Sequence, residues 1–169
     1  MSCILNIETS TSVCSVALSM DGEVLFAKAS FDGPSHAALL GVFVEEALSV
    51  LKKKGKKALD AVAVSSGPGS YTGLRIGVSV AKGLCFGFGI PLIGIHTLDI
   101  MAATVNSKGD SQIVSITDDC LYCAMLDARR MEVYAAIYDA SLKPVRETKA
   151  DIVELSLIHI SEPTRRSYI

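Results

Sequence analysis

Residues 60–88 read DAVAVSSGPGSYTGLRIGVSVAKGLCFGF. Asp60 to Ser66 is short, β-branched and small, the composition of a strand buried on both faces. Gly67-Pro68-Gly69-Ser70-Tyr71-Thr72 then breaks the pattern, and Gly73 to Phe88 carries enough apolar residues for a buried helix. Strand, glycine loop and helix in this order define an α/β unit, and the surrounding sequence is read outward from it.

Upstream, Cys3 to Ile7 is an apolar run ending in the hydroxyl-rich turn Glu8-Thr9-Ser10-Thr11-Ser12, and Val13 to Met20 returns from it. Asp21-Gly22 is a strong hairpin signal, because both residues tolerate positive φ, and Glu23 to Ser30 follows as a third strand. Ser35 is placed as the N-cap of a helix from His36 to about Lys54, stopped by Gly55. Downstream, Pro91 to Ile95 reads as a strand and Thr97 to Val105 as a short helix, giving the order βββαβαβα. The expected organisation is a first domain over 1–105, a linker at 106–110 and a partial second domain over 111–154. In that second domain Gln112 to Ile116, Tyr122 to Asp127 and Glu132 to Tyr138 are strands, with a turn at Arg129-Arg130. No helix is assigned to it, so it looks unfinished.

The last stretch, 155–169 (LSLIHISEPTRRSYI), departs from the preceding pattern and resembles the translation of a sequencing-library adapter. It is set aside as a foreign tail. Its removal takes away two arginines and one glutamate, which moves the formal net charge from −2 to about −3. A chain this acidic grips nucleic acid poorly by itself, since phosphate-backbone affinity comes from clustered Lys and Arg. The composition, half hydrophobic and one-fifth charged, is that of a globular chain. No long apolar span or signal-like leader is seen, so cytoplasmic location without membrane contact is expected. Five scattered cysteines, Cys3, Cys14, Cys85, Cys120 and Cys123, read as small core residues.

Three candidate sites follow. The loop Gly67, Gly69, Ser70 at a helix start brings amides and a positive helix end together, which suits either an anion or nucleotide or a tight structural turn. It is not a P-loop, because no Gly-Lys-Ser/Thr follows. Glu8 with Thr9, Ser10 and Thr11 reads first as a turn satisfying its own backbone and second as a group facing a nucleotide phosphate or a metal-bound water. Metal ligation is not expected, because the histidines His36 and His96 lie far apart and Cys120-Leu121-Tyr122-Cys123 lacks a second half. No nucleophile–base pair is visible, so no catalytic residue is assigned.

The third candidate is a protein interface. In 73–88, Arg75, Ser79 and Lys82 form one narrow polar stripe, while Leu74, Ile76, Val78, Val80, Leu84, Phe86 and Phe88 cover the rest. In the preceding helix Leu40, Phe43, Ala47 and Leu51 lie on one line and Leu39, Val42 and Val50 on another. Gly73, Gly77 and Ala81 recur every fourth residue and would admit a close helix. Leu39, Val42, Phe43, Val50, Leu74, Gly77, Val78 and Ala81 are therefore the expected partner contacts, the other reading being that both helices are buried inside a larger domain. The Lys52-Lys53-Lys54-Gly55-Lys56-Lys57 run reads as a solvated helix end.

CILNIETST, GPGSYTGLRIGVSVAKGLCFGFGIPLIGIHTLDIMA and LDARRMEVYAAIY resemble, in this order and spacing, the TsaB (YeaZ) family, over about residues 3 to 154. The resemblance implies the actin-like ATPase superfamily fold, built of two ribonuclease-H-like α/β domains. It implies pairing with the catalytic subunit TsaD through helices matching 36–54 and 73–88. With the ATPase TsaE, such a complex places a threonylcarbamoyl group on the adenosine beside the anticodon of tRNA, with ATP or ADP at the complex interface as the cofactor implied. TsaD-like proteins carry two metal-binding histidines four residues apart, and this chain has Thr97 and Met101 at those positions, which cannot replace imidazole. The chain is therefore expected to be an accessory subunit rather than an enzyme, with a homodimer as a second association. The alternative is an ATP-dependent kinase or phosphatase of the same superfold using Glu8 and the glycine loop.

Overall fold

The computed structural model describes residues 2–31, 36–55, 58–108 and 120–152. The expected N-cap Ser35, the strand Gln112 to Ile116, Lys56, Lys57, positions 109 and 110 of the linker and the tail 155–169 lie outside the described residues. The chain divides into two compact units, Met1–His96 and Thr97–Ile169.

The first unit is a five-stranded sheet with two helices on one face. Strand β1 (Cys3–Glu8) pairs antiparallel with β2 (Cys14–Met20), and β2 pairs antiparallel with β3 (Glu23–Ser30). The β2–β3 turn holds Asp21 and Gly22 at positive φ, as the Asp-Gly pair predicts. After helix α1 (His36–Lys53), strand β4 (Ala61–Ser65) inserts parallel beside β1, and after helix α2 (Tyr71–Phe88), β5 (Leu92–Ile95) adds parallel to β4. The strand order is β3-β2-β1-β4-β5.

Alternation decides which residues enter the core. Cys3, Leu5 and Ile7 of β1 and Cys14, Val16 and Leu18 of β2 point to the helix-covered face. Val62 and Val64 join them from β4, while Ala61, Ala63 and Ser65 are buried on its other face. Leu40, Phe43, Val44, Ala47 and Leu51 of α1, with Ala81 and Cys85 of α2, close this core. Each fully buried Leu among them contributes about 1.5–3 kcal/mol relative to exposure. Helix α2 ends at Gly89, whose left-handed backbone (φ 66) sends its N–H back to the Cys85 carbonyl. Gly55, at φ 77, stops α1 as expected, and Lys52 and Lys53 are exposed in its last turn.

The second unit is the antiparallel sheet β6 (Tyr122–Arg129), β7 (Glu132–Tyr138) and β8 (Pro144–Ile152), covered on one face by helix α3 (Thr97–Lys108). This corrects two expectations. Helix α3 belongs with the second unit rather than closing a first domain at 105, and its last turn runs through 106–108, where a linker was expected. The second unit therefore has its covering helix. Leu98 and Ala102 pack on Ala124, Ala136 and Tyr138. Strand β8 carries no apolar alternation in the sequence, because Pro144, Arg146, Glu147, Lys149 and Asp151 dilute it; it is an exposed edge strand whose Arg146 donates from Nη2 to both Asp151 carboxylate oxygens, at 2.6 and 2.7 Å.

Candidate functional site

The C-terminal ends of β1 and β4 meet the start of α2, the end of an open α/β sheet at which ligands commonly sit. Glu8 closes β1, and its Oε1 accepts the Ser10 N–H at 2.6 Å, which turns the chain sharply. Thr9 and Ser10 are buried behind it. The Ser10 carbonyl then accepts the N–H of Ser70 at 2.6 Å, so the turn and the glycine loop are tied backbone to backbone. Ser70, one of two cap candidates beside Thr72, caps α2, its Oγ accepting the Gly73 N–H at 3.3 Å. His36, the first residue of α1, is buried with Nε2 2.9 Å from the Thr11 carbonyl; a carbonyl only accepts, so this nitrogen carries the proton. One hydroxyl-rich turn thus anchors the starts of both helices.

The glycines are explained by this contact. A Cβ on Gly69 would collide with the Ser10 carbonyl, one on Gly73 with the Thr9 carbonyl, and one on Gly77 with Thr9 Oγ1. The line Gly73, Gly77, Ala81 and Cys85 faces inward. Its small residues admit the β1 turn, not a partner helix, which corrects the sequence-based reading. Of the expected nucleotide contacts, Glu8, Thr9, Gly69 and Ser70 do converge with Gly67, but the Ser70 amide, the Ser70 hydroxyl oxygen and Glu8 Oε1 are engaged within the joint. Thr9 Oγ1, Ser10 Oγ and Ser65 Oγ reach no hydrogen-bond partner among the described residues. Ser10 lies in the expected Glu8 turn, whereas His36 and Ser65 were not among the expected site residues; the hydroxyl residues between Glu8 and Ser12 carried the sequence signal.

The expected partner contacts divide sharply. Phe43, Gly77 and Ala81 are buried inside the unit and cannot meet another chain in the folded protein. Leu39, Val50 and Val78 are half-buried against the core, and Leu74 is half-buried with its Cδ1 beside Gly67. Val42 alone is well exposed, at 48%. The outward line of α2 is instead Thr72, Arg75, Ser79, Lys82 and Phe86, with Phe86 92% exposed. Arg75 lies over the Tyr71 ring, 4.0 Å from its centroid. Lys28 binds Glu46 at 2.7 Å on the flank of α1, above the Phe43 ring.

In the second unit, Thr97 is buried with Oγ1 unpartnered among the described residues, and Met101 packs in the α3 apolar cluster. Tyr138 Oη donates to Asp99 Oδ1 at 2.5 Å, fastening α3 to β7. Burial first, and the Asp99 contact second, push the Tyr138 phenol above the usual tyrosine range. Cys3, Cys14 and Cys85 are buried as expected, but Cys120 is half-buried and Cys123 exposed, because Cys123 falls on the sheet face away from α3. Burial of part of the thiol still raises the Cys123 pKa, opposed by Arg146. Among the described residues no three His, Cys, Asp or Glu side chains form a metal-binding group, and no helix is long and apolar enough to cross a membrane.

A mixed sheet in the order β3-β2-β1-β4-β5 with this helix arrangement places the chain in the actin-like, ribonuclease-H-like α/β class. Residues 32–168 match the family model described as TsaD, tRNA N6-adenosine threonylcarbamoyltransferase. The chain is 35% identical over 163 residues to the tRNA threonylcarbamoyladenosine biosynthesis protein TsaB of Escherichia coli, covering 92% of this chain and 64% of that protein. It is 38% identical over 112 residues to a tRNA N6-adenosine threonylcarbamoyltransferase of Nitratidesulfovibrio vulgaris, covering 58% of this chain and 31% of that one. YeaZ from Pseudomonas aeruginosa superposes with a TM-score of 0.75 at 29% identity, over 92% of this chain and 70% of that structure. The chain belongs to the TsaB (YeaZ) family, and spans less than two thirds of the length of the curated relatives it matches.

Proposed function

We propose that this chain is the non-catalytic partner of a TsaD-type threonylcarbamoyltransferase, in a complex that modifies adenosine beside the anticodon of tRNA. The observation that carries the reading is the outward display of Val42 and Phe86 on α1 and α2, apolar groups that a partner would desolvate. Thr97 and Met101 stand where the catalytic relatives implied by the resemblance carry metal ligands, and both are committed to packing of the second unit. The glycine loop spends the Ser70 amide on the Ser10 carbonyl of the β1 turn and the Ser70 hydroxyl oxygen on the Gly73 amide of α2, which favours a structural joint over the kinase or phosphatase alternative. A TsaE-like ATPase and tRNA enter through the assembled complex, in the cytoplasm, and a homodimer is the second association.

The test is reconstitution of tRNA modification from the full-length protein with TsaD and TsaE. Omission of this protein should abolish modified adenosine, and Val42→Asp should block its co-purification with TsaD. ATP turnover by this protein alone, or modification indifferent to its presence, would overturn the reading.

A further inference from the structure

Among the outward residues of α2, the spacing Thr72, Arg75, Ser79, Lys82, Phe86 alternates three and four, the repeat by which one helix lies along another. The line is not a plain apolar seam. Two cations occupy it, no acidic residue occurs anywhere in Tyr71–Phe88, and a bare phenylalanine closes its C-terminal end. Arg75 and Lys82 make no ion pair among the described residues; the Tyr71 ring is the one contact recorded for the Arg75 guanidinium. Seven residues put them about 10 Å apart along the axis, two turns on the same side.

Three physical consequences follow from that pattern. A purely apolar partner helix would strip water from two cations without compensation, an unfavourable exchange. A second copy docking α2 against α2 would bring like charges together, which costs free energy and works against self-pairing through this line. A partner helix with carboxylates one heptad apart meets both cations, and a neighbouring apolar pocket takes Phe86. From the geometry of α2 we infer that this face selects an acidic partner helix, with two Asp or Glu residues seven positions apart opposite Arg75 and Lys82 and an apolar seat for Phe86. The inference rests on the proposed pairing with a TsaD-type subunit and specifies which chemistry that subunit must present.

The experiment measures binding kinetics of the full-length protein to the TsaD-type subunit from the same genome, across a salt series. For the native protein the association rate should fall steeply as salt rises, as for steered charged partners. Arg75→Glu with Lys82→Glu should weaken binding at least about tenfold and flatten the salt dependence. Phe86→Ala should speed dissociation while leaving the salt slope unchanged. A double variant that binds within about twofold of the native protein, at an unaltered slope, would overturn the inference while the pairing itself stands. Binding that survives Val42→Asp and Phe86→Ala together would move the pairing to a surface other than α1 and α2, and this inference would fall with that interface. Sedimentation showing a dimer of the native chain that the double charge reversal dissolves would instead assign the face to a second copy.

Discussion

The two units are held together by different means. In the first, a strand buried on both faces, β4, sits between β1 and β5, and backbone touches backbone where the β1 turn meets α2. In the second, among the described residues, three strands carry one helix, the far edge is a charged strand, and a part-buried hydrogen bond from Tyr138 to Asp99 fastens helix to sheet. Tolerance of change should differ accordingly. Where contact is between main chains, no rotamer can yield to an added atom, whereas a single-layer contact loses only the group removed.

Gly73→Ala puts this contrast under most stress. The new methyl meets the Thr9 carbonyl, so we expect a loss of at least about 3 kcal/mol in the first unit. Hydrogen exchange should show protection lost across β1 and β4 but kept in β6 and β7. Equal loss in both units would mean that they do not unfold separately. Tyr138→Phe is the matching lesion in the second unit, expected to cost about 1–2 kcal/mol, confined to α3, β6 and β7. Because the folded phenol titrates above its usual range, the second unit should lose stability as pH rises past the ordinary tyrosine pKa, and the Phe variant should lack that slope.

The β6–β7 connection sharpens the comparison from the other side. Arg129, Arg130 and Met131 all hold positive φ (68, 54 and 62) without a glycine among them, a turn the side chains disfavour. Replacing Arg130-Met131 by Asn-Gly should stabilise the second unit by about 1 kcal/mol, read as a raised midpoint in urea. No gain would mean that the two side chains hold the turn by contacts of their own. The smallest effect is expected at Asp139. Its Oδ1 accepts Ser141 Oγ at 2.7 Å and the amides of Lys143 and Ser141 at 2.9 and 3.0 Å, and these bonds hold its carboxyl below the usual range. Stability from this turn is present above the ordinary carboxylate pKa and fades as pH falls through the lowered one. Asp139→Asn should flatten the acid limb of a pH–stability profile, and an unchanged limb would show that the β7–β8 turn is held elsewhere.

Much of the order of elements was readable without coordinates, because turn chemistry marks the chain locally. Asp21-Gly22, Gly55 and Ser70 each acted where their conformational preferences place them. What stayed hidden was which way a helix faces. Helix α2 is apolar nearly all round, and a repeat of Gly and Ala every fourth residue serves equally to admit a partner helix or the chain's own turn. The structure chose the turn, which moved Phe43, Gly77 and Ala81 from contact to core and left Phe86 uncovered. Strand β8 escaped notice because an edge strand, wet on most of its surface, needs no apolar alternation.

By itself the amino-acid order determined the strand–loop–helix rhythm, the caps and the family, since these depend on residues near one another in the chain or on matched blocks of sequence. Only tertiary structure decided that α3 serves the second sheet and that the glycine loop closes on Thr9 and Ser10. It also decided that α2 turns its cations and Phe86 outward. Those outcomes depend on residues distant in sequence competing for the same buried surface, and periodicity within one segment carries no record of its competitors.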